Sequence, residues 1–167
     1  GPTCHYTMGG IRVHPETQET SISGLFAAGE VAGGMHGSNR LGGNSLSDLL
    51  VFGKRAGQYA AENAAGKSHT DVNDDEISTV AADLLAPFDR PDGESPYGIH
   101  DDLRSMMQQK VGIVRTADEL CEALEGLDAL RTRAATVSVT GNIQFNPGWH
   151  LALDLSNMLD ISEAVTR

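Results

Sequence analysis

Apolar residues fall into two different rhythms along this 167-residue chain. In the first third they are short and broken by glycine. Leu25–Ala28 is a four-residue run that reads as a short strand ending in Gly29-Glu30, entered by a turn over Thr20–Gly24. Arg12–Glu19 is polar and carries Pro15, which predicts a hairpin or connecting loop. After Ser45 the spacing becomes helical. Leu46, Leu49, Leu50, Ala56, Ala60 and Ala64 share roughly one face, and Gly66 is a natural stop. The small residues Gly53, Ala56, Gly57, Ala60 and Ala61 suit close packing of that helix on a sheet.

From about Asn73 onward helical spacing dominates. Asn73-Asp74-Asp75-Glu76 is a capping-box pattern, with Ile77, Val80, Leu84 and Leu85 following on one face until Pro87. Pro87–Ser95 reads as a loop. Ser95-Pro96 opens a helix with Ile99, Leu103 and Met106 in phase, ending near Gly112. Thr116-Ala117-Asp118-Glu119 is a second capping box, and Leu120, Leu124, Leu127, Leu130, Ala134 and Val137 follow it. Pro147-Gly148-Trp149 starts a last helix that runs to Arg167 without a glycine or asparagine terminator. The pattern predicts an α/β part followed by an all-helical part of three to four helices. The boundaries fall at 1–66, a linker at 67–73, and 74–167.

Charge narrows the function. A net charge of −11 argues against a general nucleic-acid binder, and no basic stripe or RNA-stacking motif is present. The acidic clusters at 71–76, 101–102 and 118–125 read as solvated faces. No apolar run reaches the length of a membrane span. Cys4 and Cys121 lie far apart in sequence and support neither a disulfide framework nor a metal cluster.

The chemistry concentrates in two segments. Gly24–Leu50 combines Gly29-Glu30 with a glycine-rich loop carrying His36 and Arg40, and with a helix start at Asn44-Ser45. A carboxylate suits the hydroxyls of a sugar-like chain. A guanidinium suits a carboxylate, because its planar donors match two oxygens at once. A helix start suits an electron-rich group. The second segment, TCHYTMGGI, places His5 and Tyr6 beside Gly9-Gly10, where glycine permits close backbone approach to a flat ligand. Together they describe a site holding a cofactor and an anionic substrate side by side. Taken alone, His5 also reads as a hydrogen-bonded core histidine, Arg40 as a surface arginine and Glu30 as a helix-start acid. Asn44 or Ser45 reads as an ordinary N-cap.

HYTMGGI, GLFAAGE, HGSNRLGGNSL and VFGKRAG, in that order, resemble the flavoprotein subunit of succinate dehydrogenase and fumarate reductase. A weaker likeness continues through MMQQKVGIVRTADEL and Asn157-Met158-Leu159. The resemblance implies the C-terminal part of a Rossmann-like FAD-binding domain over 1–66, followed by a helical domain. It implies His5 and Arg40 as ligands of succinate or fumarate. FAD contacts would come from Tyr6, Gly29, Glu30, Asn44, Ser45 and Leu46. His36 stays open between a structural and a catalytic hydrogen bond. His14, His69, His100 and His150 carry no partner pattern, and Trp149 reads as a packing residue.

No GxGxxG turn occurs, and the family's covalent flavin histidine and proton-shuttling arginine lie upstream of the HYTMGGI segment. The chain is therefore expected to be the C-terminal portion of a longer flavoprotein, possessing no catalytic residue of its own. The partners implied are an iron–sulfur subunit and, through it, membrane anchor subunits and quinone. The place implied is peripheral, on the cytoplasmic face of a bacterial inner membrane or the matrix side of a mitochondrial one. Two alternatives remain open. An L-aspartate oxidase-like flavoprotein shares these motifs, but Met8 and the RLGGNSL spelling favour succinate dehydrogenase. The other is a non-catalytic fragment or assembly domain.

Overall fold

A computed structural model describes residues 5–68 and 71–167; Cys4 and His69 fall outside that range. The chain divides into two compact units, Gly1–Asp71 and Val72–Arg167. Among the described residues, five α-helices and a two-stranded sheet form the framework.

In the first unit, β1 (Ile11–Arg12) and β2 (Ala32–Gly33) pair in parallel, Ile11 opposite Ala32 and Arg12 opposite Gly33. Glycine makes this approach possible: a Cβ on Gly10 would overlap the Val31 carbonyl, and one on Gly33 would lie 2.9 Å from Gly10 N. Between the strands, Pro15 begins a turn closed by Gln18 N donating to His14 O (2.9 Å) and His14 N donating to Glu19 O (2.8 Å). The expected loop is thus present. The expected strand Leu25–Ala28 is not. Phe26 bridges antiparallel to Glu19, flanked by Thr20 N donating to Leu25 O (2.8 Å) and Ala27 N donating to Gln18 O (3.0 Å), a pairing too short to extend into a strand. The chain then turns at Gly29 and enters the glycine-rich loop.

Helix α1 spans Asn44–Ala64 and stops at Ala65, just short of Gly66. Its start agrees with the sequence pattern, but its capping does not. The N-cap is Gly43, in the left-handed region at φ 86°, and no side chain caps the helix. Nor is its apolar face covered: Leu46 is 65% exposed and Leu50 75%, and the sole buried residue of α1 is Asp48.

The second unit has its own core. Helices α3 (Pro96–Lys110), α4 (Ala117–Ala134) and α5 (Pro147–Thr166) pack on one another. Ile99 and Leu103 meet Leu127, Leu130, Leu155 and Leu159, with Val137 supplied by the loop after α4. Each such side chain contributes about 1.5–3 kcal/mol when removed from water. Gly126 lets α3 close on α4, since a Cβ there would overlap Met106 Sδ. The capping box at Thr116 and Glu119 forms in both directions. Val137, expected at the end of the helical spacing, lies beyond α4. It is still buried, because the chain folds back after Ala134.

Helix α2 (Asp74–Leu85) begins at Asn73, whose side chain accepts from Asp75 N. Its face of Ile77, Val80, Leu84 and Leu85 remains exposed rather than packed. A short 3-10 turn, Ala86–Phe88, links it onward. Trp149 packs on Phe88 (5.6 Å between rings) and donates through Nε1 to Leu84 O at 2.8 Å, in line with a packing role. No helix among the described residues is long and apolar enough to cross a membrane.

Candidate functional site

The chemistry of the first unit gathers where β1, β2 and the loop before α1 converge. A small cleft of about 60 Å³ is lined there by Tyr6, Thr7, Gly9, Glu30, Gly34 and His36, among others. Two peptide segments far apart in sequence meet through one bond: Thr7 N donates to Glu30 Oε1 at 2.8 Å. Glu30 therefore ties the His5–Met8 segment to the turn that leads into β2. Its other oxygen accepts nothing among the described residues.

Gly29 is buried and holds φ at +84°, which turns the chain so that Glu30 faces the cleft segment. The turn therefore favours glycine, and a Cβ on Gly29 would also lie 2.8 Å from Leu49 Cδ2, which would have to move aside. Gly9 and Gly34, at φ +100° and +101°, have no atom within 4 Å of where a Cβ would stand. Their bare backbone leaves the cleft mouth open for a flat group. Gly10, by contrast, is needed by the strand pairing.

Arg40 stacks its guanidinium over the Tyr6 ring, 4.3 Å from the centroid. Such a cation–π contact fixes the plane of the guanidinium while leaving its edge free. The Arg40 Nε is buried and has no hydrogen-bond partner among the described residues. A buried donor left unpaired costs about 1–3 kcal/mol, a cost relieved when an acceptor arrives. Asn39 Oδ1 accepts from Arg40 N at 2.9 Å, which shapes the loop at that point.

His36 meets the other edge of the same aromatic ring, edge-on at 6.4 Å and 85°. Its Nε2 lies 3.2 Å from Asp48 Oδ2, and both side chains are largely buried, 14% and 2% exposed. Asp48 carries no signal in the sequence. A polar residue in an amphipathic helix reads as solvent-facing, and nothing local pairs residue 36 with residue 48.

His5 is exposed beside Tyr6. Asn44, Ser45 and Leu46 form the uncapped start of α1, with Asn44 N donating to Leu41 O (3.1 Å) and Leu46 N to Gly43 O (3.0 Å). The ordinary capping role considered for Asn44 or Ser45 is thus not filled. The structure brings Tyr6, Glu30, His36 and Arg40 together. His14, His100 and His150 lie elsewhere; His14 Nδ1 accepts from Glu16 N at 3.3 Å, within its own turn. Among the described residues, no group of three or more His, Cys, Asp or Glu could hold a metal ion.

Known proteins resemble the chain in the same two parts. Residues 1–46 match the family described as FAD binding domain, and residues 100–167 match Fumarate reductase flavoprotein C-term. One subunit of the fumarate reductase (CoM/CoB) of Methanothermobacter marburgensis is 40% identical over 99% of this chain and 30% of its own length. The fumarate reductase flavoprotein subunit of Escherichia coli is 36% identical over 98% of this chain and 28% of its own. The chain thus spans less than a third of these relatives. Among solved structures, the Sdh1 complex of Mycobacterium smegmatis in its apo form superposes with a TM-score of 0.94 at 52% identity, over 99% of this chain and 28% of that one. An Escherichia coli quinol fumarate reductase superposes at 0.89 with 34% identity, over 98% of this chain and 28% of that one. In sequence and in fold, this chain resembles the C-terminal part of the flavoprotein subunits of succinate dehydrogenase and fumarate reductase.

Proposed function

We propose that this sequence forms the dicarboxylate-binding edge and the helical domain of a flavoprotein that interconverts succinate and fumarate with FAD. In this reading residues 1–66 belong to a Rossmann-like FAD-binding domain, 67–73 form a linker, and 74–167 form the helical domain. The observation that carries it is Arg40. Its guanidinium is held flat on Tyr6, with a buried Nε that has no hydrogen-bond partner among the described residues.

The residues present fit part of a flavin nucleotide. Gly9 and Gly34 offer open backbone, Glu30 keeps an oxygen unpaired among the described residues for ribityl or ribose hydroxyls, and the start of α1 at Asn44, Ser45 and Leu46 lends its positive dipole end, with Ser45 N the backbone donor not used by Leu41 O or Gly43 O. Tyr6 and Gly29 shape the approach. FAD, when bound, supplies the two-electron acceptor. The chain's own residues do the rest of what is assigned here. Arg40 grips one carboxylate in two places and orients the substrate's C–H bonds, which can lower a barrier by several kcal/mol (about 7–11 at most). His5 donates a hydrogen bond to a carboxylate and offsets its charge.

Electrons would leave through an iron–sulfur subunit to quinone, with membrane anchor subunits holding a peripheral flavoprotein at the inner membrane. The complexes among the structural neighbours support this assembly: one is described with UQ1 and another with menaquinol molecules.

The test is Arg40→Lys in a flavoprotein carrying this sequence. An ammonium cannot reproduce the planar fork. With flavin content unchanged, succinate turnover should fall by about a hundred-fold, the scale of a small misplacement of reacting atoms. His5→Ala should raise the KM for succinate. Wild-type kinetics in both variants would reject the assignment.

A further inference from the structure

The pairing of Asp48 with His36 has no explanation in the packing of the first unit. Asp48 is 3% exposed and is the one buried residue of a helix whose leucines face solvent. Burying a carboxylate costs several kcal/mol (roughly) unless it is paired. Here the pairing is minimal: Oδ2 meets His36 Nε2 at 3.2 Å, while Oδ1 has no partner. A buried polar pair of this kind is weak evidence for stability, since apolar residues of like volume often do as well. What it fixes is a position. The contact ties one ring nitrogen of His36 to a helix-borne carboxyl group and so restricts how the ring can turn.

That ring stands edge-on to Tyr6, and the face of Tyr6 carries the Arg40 guanidinium at 4.3 Å. Asp48, His36, Tyr6 and Arg40 therefore form one line of contacts from the body of α1 to the free donors of Arg40. Asp48 is anchored in a helix; the other three stand on irregular backbone. We propose that Asp48 is a positioning residue for the dicarboxylate site. Acting through His36 and Tyr6, it holds the Arg40 guanidinium at the angle at which it meets a carboxylate. This rests on the reading of Arg40 as a dicarboxylate ligand.

The test uses a flavoprotein carrying this sequence, purified with its flavin. Asp48→Asn keeps the side-chain size but lets the amide turn a donor toward His36. Flavin content should hold. The KM for succinate, and the dissociation constant for malonate, which binds but cannot be dehydrogenated, should both rise about ten-fold, with kcat changed less. His36→Gln is the second variant: its amide can still donate to Asp48, but it removes the ring edge against Tyr6. The same rise is expected with flavin retained. In an Arg40→Lys background, Asp48→Asn should add little further loss, because both act through one guanidinium. Unchanged KM and malonate affinity in Asp48→Asn and His36→Gln would overturn the proposal. So would fully additive losses with Arg40→Lys, or loss of flavin from both single variants, which would make the pair a folding element. If Arg40→Lys itself had no effect, the dicarboxylate reading of the site would fall, and this proposal with it.

Discussion

At Gly29 two constraints coincide. Its φ of +84° puts an L side chain in the left-handed region, and its missing Cβ leaves 2.8 Å to Leu49 Cδ2. Gly29→Ala should therefore destabilise the first unit by about 1–2 kcal/mol from backbone alone, more if Leu49 cannot shift. In a flavoprotein carrying the sequence, this should appear as a lower melting temperature together with reduced flavin retention, since Glu30 is aimed by the same turn. An unchanged melt would show that the turn relaxes. Single residues are legible in the sequence where their chemistry is unusual for their surroundings. Arg40 among glycines and Glu30 after a small-residue run are of that kind, and the structure brings them near Tyr6. Asp48 is not legible. Its significance is a pairing with a loop histidine, and loop geometry has no sequence period. His36 is legible only as an alternative, because an imidazole beside glycines suits a structural bond as well as a catalytic one.

Elements declare themselves when their ends are chemically marked. Thr116 with Glu119, Asn73, and Pro147 behind Asn146 each start a helix where the sequence places one, because a side-chain acceptor there satisfies a backbone donor that the helix cannot. The segment Leu25–Ala28 lacks such marks. Strand formation depends on a neighbour, and the short stretch Gln18–Thr20 supplies only the Glu19 bridge and its two flanking bonds. The apolar face of α2 is legible as a pattern but not as a contact, since periodicity says which residues share a face and not what covers it. The helical bundle is also laced by charge. Arg133 pairs with Glu94 and, at 2.8 Å, with Asp102; Arg131 joins Asp160 at 2.6 Å and Glu163 at 3.0 Å. The hydrogen bond from Arg133 holds the Glu94 carboxyl below its ordinary value of 4.5. Glu163 is held low first by Arg167 and then by Arg131. A carboxyl depressed in the folded state contributes stability above its unfolded pKa, and that contribution is lost as pH falls through the folded value. Bundle melting should thus be flat from about pH 7 to about pH 5 and fall below about 4.5. Glu94→Gln should flatten that acid limb. An acid limb of undiminished steepness in Glu94→Gln, followed by circular dichroism, would remove Glu94 from the account.

The two units differ in how much of themselves they bury. Nearly all the buried apolar residues, from Ile99 to Leu159, belong to Val72–Arg167; in the first unit Ala27 stands alone. Leu41, Leu46, Leu49 and Leu50 instead face outward, and the cleft beside Tyr6 and Glu30, at about 60 Å³, is far below the roughly 300–1,000 Å³ of a typical small-molecule site. A fold is maintained by what it removes from water, so the helical unit is stable through its own contacts while the first unit is not. Under the proposed function, the likeness to the flavoprotein subunits is most specific where this fold is least covered because those residues answer to a flavin and a substrate more than to one another. The purified 167-residue chain should accordingly show one cooperative melt, that of the bundle. Amide exchange should protect α3, α4 and α5 strongly and α1 weakly. The chain should retain no stoichiometric flavin and should not pass electrons from succinate to a dye, because a catalytic unit deprived of some members loses most of its effect. Yellow, succinate-reducible protein from this chain would show that the surfaces left open here suffice to hold FAD, and that the dicarboxylate site is complete within these residues.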